Sequence, residues 1–117
     1  MNKLTQFIVP FFALVLFLTV YSCIIQNPKP EECEIFTTTI SKIIEGTSYD
    51  IVFVDAGGDR YYINRGIEQG LNLQDLNASV LNKTVTLHLA NVLGGLVTTE
   101  HITQLAVNDN IIFTEFN

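Results

Sequence analysis

The sequence predicts a mostly β fold, a small barrel of five to six strands with one short helix between the third and fourth strands. Segments rich in β-branched and aromatic residues follow one another along most of the chain, which favours strands. Clusters of Gly, Asn and Asp separate these segments and indicate turns. A single stretch changes from alternation to helical spacing, which predicts the helix.

The first two predicted strands lie on either side of a short turn. Residues 35–44 combine isoleucines with three consecutive threonines, a composition typical of a strand. Residues 45–48 contain Gly46 and form the turn. Residues 49–54 alternate, and this alternation predicts that Tyr49, Ile51 and Phe53 share one face and that Asp50, Val52 and Val54 share the other.

The third predicted strand follows a hairpin turn at residues 55–59. The paired glycines Gly57 and Gly58 supply the positive φ angles that such turns require. Residues 60–64 then alternate, which places Tyr61 and Ile63 toward the core and their neighbours on the opposite face.

The predicted helix begins after Asn72, a residue type that favours the N-cap position. Asp75 occupies the third helical position, and Leu71 with Leu76 occupies the hydrophobic-staple positions. Leu76 is one of three apolar residues at helical spacing, which are Leu73, Leu76 and Val80. The helix is expected to end near Asn82.

The remaining strands complete the predicted barrel. Residues 84–89 alternate, with inward positions predicted for Val85, Leu87 and Leu89. Gly94-Gly95 interrupts the strand pattern. A last pair of strands, residues 102–107 and 111–116, is joined by the turn Asn108-Asp109-Asn110, which contains residues that tolerate the left-handed conformation.

This order and spacing, from Ile35 to Phe116, resembles the OB-fold, a small five-stranded barrel. The resemblance implies a curled sheet closed by the helix, and a binding surface on the face of strands 2 and 3. The alternatives are an SH3-like barrel or another irregular small barrel. A β-sandwich is disfavoured because it usually needs more strands than these segments supply.

The N-terminal part of the chain has the composition of an export signal. Residues 1–6 are polar with one cation, Lys3, and residues 7–20 form an apolar stretch that is expected to be helical. The segment after Cys23 carries prolines and charges, which favour an extended spacer. The sequence thus predicts three parts: a signal peptide or membrane anchor (1–23), a linker (24–33) and an OB-like barrel domain (34–117).

Val20-Tyr21-Ser22-Cys23 resembles the lipobox of bacterial lipoproteins, although Tyr21 stands where a small residue is usual. The resemblance implies that Cys23 carries the lipid and that cleavage follows Ser22. Two alternatives remain open: an uncleaved helix over residues 7–25, long enough to span a bilayer, or a secreted chain, with or without a disulfide between Cys23 and Cys33. All three place the domain outside the cytoplasm, in the periplasm or at the cell surface.

The charge balance narrows the range of partners. Only Lys3 among the six Lys and Arg residues precedes Cys23, so the rest of the chain sets five cations against all twelve carboxylates. A net charge of −7 disfavours nucleic acid, because its affinity for proteins comes largely from cations that displace counterions. The same charge disfavours docking on anionic lipid, which needs basic clusters.

No cofactor, metal site or catalytic activity is expected from the sequence. His88 and His101 have no cysteine or carboxylate at ligand spacing. Asp55 and Asp59 flank the glycine turn and could bracket a calcium ion, but a hairpin by itself needs polar residues there. The chain contains no Gly-x-Ser-x-Gly, phosphate-binding glycine loop or His-Glu-x-x-His motif.

The predicted binding residues are Tyr62, Asn64 and Arg60, which alternation places on one face of the third strand. An aromatic ring with polar neighbours suits a neutral glycan or an envelope protein. A purely structural interpretation of this stretch is that Arg65 pairs with Glu68 at the corner between strand and helix.

The sequence therefore predicts a membrane-anchored binding or structural module of the cell envelope, without catalytic activity. One alternative is a protein-interaction subunit of an envelope complex. Another is an accessory domain of a hydrolase, or a weak hydrolase, although no nucleophile is evident in the sequence.

Overall fold

The computed structural model describes residues 28–117 and shows a mostly β fold, a closed five-strand barrel with one extra strand and one helix. The predicted helix between the third and fourth strands is confirmed. The barrel strands and the helix are β1 (Cys33–Glu45), β2 (Ile51–Asp55), β3 (Arg60–Ile63), α1 (Leu73–Ser79), β4 (Thr84–Val92) and β5 (Val97–Val107). The extra strand, β6 (Asn110–Thr114), pairs with β5.

The expected N-terminal apolar helix and the lipobox lie outside the described residues. From residue 28 onward, the structure contains no helix with the length and apolar content needed to cross a bilayer.

The barrel closes because β1 is shared by two neighbours and β3 reaches β5. The strands follow the order β3-β2-β1-β4-β5-β6, and all of these pairings are antiparallel. The first half of β1 pairs with β4 and the second half with β2, with a bulge between Ile40 and Lys42 that bends the strand. A parallel pairing of β3 with β5, at Tyr62 opposite His101, closes the barrel.

The core is built by the inward residues of the strands, as alternation predicts. Ile51 and Phe53 of β2 and Ile63 of β3 are completely buried. The helix adds Leu76 and Val80 to the same cluster. Full burial of one such side chain stabilises the fold by about 1.5–3 kcal/mol, so these contacts explain why the alternating segments become strands. The three inward residues predicted on β4 are also buried: Val85, Leu87 and Leu89.

The start of α1 has the predicted cap. The Asn72 side-chain oxygen accepts a hydrogen bond from the Asp75 backbone N–H at 2.8 Å, and its amide donates to the Asp75 carboxylate at 2.9 Å. The helix ends at Ser79, three residues before the predicted end. Val80 forms its C-cap, and Asn82 has a left-handed backbone with φ of 62°.

Tyr49 does not lie in a strand, so its predicted place in the second strand is wrong. Ser48 and Tyr49 both adopt positive φ angles in a short 3₁₀ turn, so β2 begins only at Ile51. The Tyr49 side chain is 54% exposed. Its backbone carbonyl instead accepts a hydrogen bond from Ile67 at 3.2 Å, which ties the turn to the segment after β3.

The prolines and charges before the barrel had predicted an extended linker. The described part of this linker is not extended throughout. Pro30–Glu32 forms a 3₁₀ turn, in which the Cys33 N–H donates to the Pro30 carbonyl. Proline fits this first position because its fixed φ suits a helical turn and it has no N–H to satisfy. β1 starts directly after this turn, one residue before the predicted domain boundary.

Strands β4, β5 and β6 differ from their predicted bounds. β4 continues to Val92 and β5 already begins at Val97, while β6 ends at Thr114, before the predicted Phe116. The residues after β6 continue beside β5, where the Glu115 N–H donates to the Thr103 carbonyl at 2.8 Å, and the ring of Phe116 packs edge-on against His88 at 5.5 Å. These residues are called here the C-terminal strap (residues 115–117).

Candidate functional site

A shallow cleft of about 200 Å³ lies beside the pairing of β3 with β5. Three parts of the chain form it: the turn before β2 with the start of β2, strand β3, and the first half of β5. Its lining residues are Thr47, Asp50, Val52, Arg60, Tyr61, Tyr62 and Glu100.

The structure places two of the three predicted binding residues in this cleft. Arg60 and Tyr62 both line it, on neighbouring outward positions of β3. Asn64 does not line it, because β3 ends at Ile63 and Asn64 already belongs to the following turn. The Asn64 carbonyl accepts a hydrogen bond from the Gln69 side-chain amide at 2.7 Å, which fixes that turn.

Tyr62 is the aromatic surface of the cleft. Its side chain is half-buried, and its ring packs edge-on against the His101 ring, with 5.5 Å between centroids and an angle of 79°. Burial, and then the nearby carboxylates of Asp50 and Glu100, raise the pKa of the Tyr62 phenol. The phenol therefore stays protonated at neutral pH and can donate a hydrogen bond to a ligand.

The orientation of Tyr62 depends on a buried pair behind it. His101 is 6% exposed, and its Nε2 lies 3.0 Å from a Glu115 carboxylate oxygen. This contact joins β5 to the C-terminal strap and fixes the ring against which Tyr62 packs. The sequence placed His101 ahead of a strand rather than within β5, so this support was not predicted.

The charges of the cleft are mixed. Arg60 is exposed and forms no ion pair with another described residue, so its guanidinium faces solvent beside Asp50 and Glu100. Asp50 accepts a hydrogen bond from the Arg65 backbone N–H at 2.8 Å. With one cation and two carboxylates, the cleft offers both donors and acceptors but a slightly negative field.

Arg65 takes the structural role that the sequence had suggested as the alternative. Its guanidinium contacts the Glu68 carboxylate through two hydrogen bonds, at 2.7 and 3.1 Å. The pair lies on the surface, raises the pKa of Arg65 and lowers that of Glu68. Arg65 is therefore engaged outside the cleft, which leaves Arg60 as the arginine that lines it.

Tyr61 also borders the cleft, but its side chain is largely buried in the core on the opposite face of β3, as alternation predicts. It is 8% exposed, and its ring packs against Phe36 at 5.7 Å between centroids. Burial is the main cause of its raised pKa, followed by the charges of Asp55 and Asp59. Two adjacent tyrosines thus have different roles: Tyr61 stabilises the barrel and Tyr62 faces the cleft.

Asp55 serves the hairpin turn. Its buried carboxylate accepts hydrogen bonds from the Thr38 hydroxyl (3.0 Å) and from the backbone N–H groups of Gly57 (3.0 Å) and Asp59 (2.9 Å). These donors occupy the lone pairs that a cation would need. In residues 28–117, no three His, Cys, Asp or Glu side chains are grouped closely enough to hold a metal ion.

Cys33 and His88 lie outside the cleft, and the His88 ring packs against Phe116 of the C-terminal strap. The Cys33 sulfur is half-buried, 3.3 Å from the Thr103 hydroxyl, and burial is the main cause of its raised thiol pKa. A thiol with a raised pKa is a poor nucleophile at neutral pH. The His88 Nδ1 is buried without a hydrogen-bond partner among the described residues.

Comparison with protein-family models, with curated proteins and with solved structures finds no match to this chain.

Proposed function

We propose that this chain is a membrane-anchored module of the cell envelope that binds a neutral glycan or an envelope protein through the cleft of Tyr62 and Arg60. The observation that carries the proposal is the half-buried Tyr62 ring, held edge-on by His101, next to the Arg60 guanidinium, which forms no ion pair within residues 28–117. A rigid aromatic surface flanked by hydrogen-bonding groups is a common way to bind a sugar ring or a protein side chain.

The size of the cleft limits the ligand. At about 200 Å³ it is smaller than the roughly 300–1,000 Å³ of pockets for drug-sized molecules. One sugar ring or one amino-acid side chain fits this space, with the rest of the ligand lying on the surface. The net charge of the chain, −6, disfavours a phosphate-rich ligand such as nucleic acid.

The type of barrel is a second argument for the cleft as the binding site. We propose an OB-like fold, since a five-strand barrel with a helix between its third and fourth strands is the arrangement that the sequence resembles. OB-folds bind oligosaccharides and oligonucleotides at the face of strands 2 and 3, and the cleft is built largely on β2 and β3. Asn64 lies outside the cleft, exposed just after the end of β3. We retain it in the proposal only as a neighbouring residue that a larger ligand could contact.

The binding experiment compares the adjacent tyrosines in the full chain. Tyr62→Ala is expected to weaken capture of a neutral glycan on an array, or of a crosslinked envelope protein, by about 1–2 kcal/mol, which is roughly 5- to 30-fold. The melting temperature should change little, because the ring is only half-buried. Tyr62→Phe, which keeps the ring but loses the phenol donor, should have a smaller effect.

Tyr61→Ala is the matched control, since it removes a core side chain and should lower stability by about 3–5 kcal/mol, as for other buried aromatics. If Tyr62→Ala destabilises the barrel as much as Tyr61→Ala and leaves capture unchanged, Tyr62 is a structural residue and the cleft is not the binding site.

The two carboxylates of the cleft favour a protein ligand over a neutral glycan. Asp50 and Glu100 flank the aromatic ring, and two carboxylates suit the lysine or arginine of a partner protein better than they suit a neutral sugar. Glu100→Gln is then expected to slow association and to reduce its dependence on salt concentration, whereas glycan binding should be insensitive to salt.

The anchor is proposed from the lipobox-like sequence at Cys23. Acylation of the thiol is expected before cleavage, so Cys23→Ser should leave an uncleaved precursor without lipid. Intact-mass measurement of the membrane-extracted wild type provides the test. A wild-type mass equal to that of the unmodified full chain would favour an uncleaved helix instead.

A further inference from the structure

The turn between β4 and β5 ends in an apolar tip, Leu93 to Val97, that has few contacts with the barrel. Leu96 is 86% exposed, Val97 is 44% exposed and Leu93 is 36% exposed. The glycines between them complete a segment without charged or polar side chains. Grouped apolar side chains on a surface mark a contact site, because leaving them in water is unfavourable.

The backbone conformation of the tip is unfavourable for leucine, so the presence of Leu93 there calls for an explanation. Leu93, Gly94 and Gly95 all adopt the left-handed conformation, with φ of 54°, 65° and 92°. Glycine accepts this conformation freely, whereas a side chain such as leucine costs about 1–2 kcal/mol there. Core packing does not explain Leu93, since its side chain remains partly exposed and lies outside the buried cluster.

The tip lies beside the N-terminal end of the barrel domain. Cys33, the first residue of β1, pairs with Ala90 of β4 in antiparallel fashion. Residues before Cys33 therefore run alongside those that follow Ala90, toward the tip. The turn Pro30–Glu32 contacts β4, and the Thr98 hydroxyl just after the tip donates to the Glu34 carboxylate at 3.3 Å.

The described part of the chain begins close to this tip. Six residues lie between Cys23 and Pro30, which makes seven residue steps from one to the other. At about 3.3–3.6 Å per residue, they reach at most roughly 25 Å. If Cys23 carries the lipid, the bilayer is thus the nearest large apolar surface to Leu93 and Leu96.

We propose that the apolar tip inserts its leucines into the interface of the bilayer that anchors the chain, so that the domain is held at two points. This inference rests on the proposed anchor at Cys23. The occupant is a neutral phospholipid surface, because the acidic domain lacks the cations that attract anionic lipids. Two contacts fix the orientation of the cleft relative to the membrane, whereas a single attachment point leaves the domain free to rotate about it.

The chain is well suited to a fluorescence test because it contains no tryptophan. A Leu96→Trp variant of the full chain, reconstituted in phosphatidylcholine vesicles, carries one reporter at the tip. We expect its emission to shift to the blue and to lose intensity when part of the lipid is brominated near the headgroup end of the acyl chains.

Ile111→Trp is the matched control. Ile111 is also apolar and 54% exposed, but it lies on β6, next to the far end of β5 from the tip. Its reporter should keep the emission of a water-exposed tryptophan and show no quenching. Both positions are on the surface, so both variants are expected to keep the circular dichroism spectrum and melting temperature of the wild type.

Three results would overturn the inference, and they are distinguishable. Equal, weak quenching of both variants in vesicle-bound protein would mean that the anchor holds but the tip stays in water. Failure of both variants to sediment with vesicles would reject the anchor and the docking together. A blue shift without quenching, accompanied by a crosslinked dimer, would show that a second copy of the chain covers the tip.

Discussion

The hairpins β2–β3 and β4–β5 contain the same sequence signal, a pair of glycines, but differ in how their turns are held. In the first, the buried carboxylate of Asp55 accepts three hydrogen bonds and fixes the chain on both sides of Gly57-Gly58. In the second, Leu93, Gly94 and Gly95 are left-handed, and Val92 before them makes no side-chain cap; among the described residues, the side-chain support lies below the turn, where the Thr98 hydroxyl donates to the Asn91 side-chain oxygen at 2.8 Å. Paired glycines therefore indicate where a chain reverses, whereas the neighbouring side chains decide whether the turn serves the fold or remains available for contact.

The largest expected effect is the loss of the Asp55 carboxylate. Asp55→Ala leaves the Thr38 hydroxyl and two backbone N–H groups without their acceptor, and hydrogen bonds to a charged group contribute about 1.5–3 kcal/mol each. Because the three bonds are not additive, we expect a loss of about 3 kcal/mol in the free energy of unfolding, measured by urea titration. The control is Asp59→Ala, whose side chain is exposed and which should stay within about 0.5 kcal/mol of wild type.

Alanine at the left-handed glycines sharpens the comparison. Gly58 and Gly95 have φ of 89° and 92°, and an added Cβ meets no atom within 4 Å at either position. Each substitution should therefore cost about 1–2 kcal/mol through backbone strain alone, equally in both hairpins. Gly57→Ala serves as the control, because Gly57 has no positive φ and its Cβ would meet only ordinary contacts. If the two substitutions lower the free energy of unfolding by different amounts, the two turns differ in backbone rigidity as well as in the hydrogen bonds that hold them.

Relief of strain at the tip should raise stability. In Leu93→Asn, a residue that tolerates the left-handed region replaces one that does not, while a partly exposed apolar contact is lost. We expect the free energy of unfolding of the protein in water to rise by about 0.5 kcal/mol, since the two effects oppose each other. A clear destabilisation in thermal melts would mean that Leu93 packs against the barrel more than its exposure indicates.

The smallest effect is expected at Leu96. Because 86% of this side chain is exposed, Leu96→Ser removes little packing and should change stability in water by no more than about 0.5 kcal/mol. Chemical denaturation without membranes measures this. If Leu96→Ser proves as damaging as Asp55→Ala, the tip is part of the fold and the contrast between the hairpins is lost.

The strands and the helix were predictable because their signals are local. Alternation placed Tyr61, Ile63 and Leu87 inward, and Asn72 marked the start of α1. Local signals failed where burial does not govern the pattern. Asn91 and residues 98–100 interrupt the alternation with polar side chains, so the ends of β4 and β5 were not predicted. Tyr49 has a residue type typical of strands, yet the turn hydrogen bonds between Gly46 and Asp50 keep it out of β2.

The candidate site was predictable only within one strand. Alternation placed Arg60 and Tyr62 on the same face of β3, and the structure keeps them together. Glu100 joins them only through closure of the barrel, which no local pattern indicates, whereas Asp50 joins them through the pairing of β2 with β3. The contact of His101 with Glu115 likewise joins β5 to the C-terminal strap, and its existence depends on how far β5 extends.

Closure of the barrel at a single residue pair, Tyr62 opposite His101, has a consequence for local opening. This seam contains one backbone pair, whereas each antiparallel pairing of the barrel contains at least four, so we expect the native barrel to open most easily here. The cleft lies on the seam and draws residues from both sides of it. A ligand that touches both Tyr62 and Glu100 therefore bridges the opening, and its binding should slow amide hydrogen exchange along β3 and the start of β5 while leaving β1 and β4 unchanged.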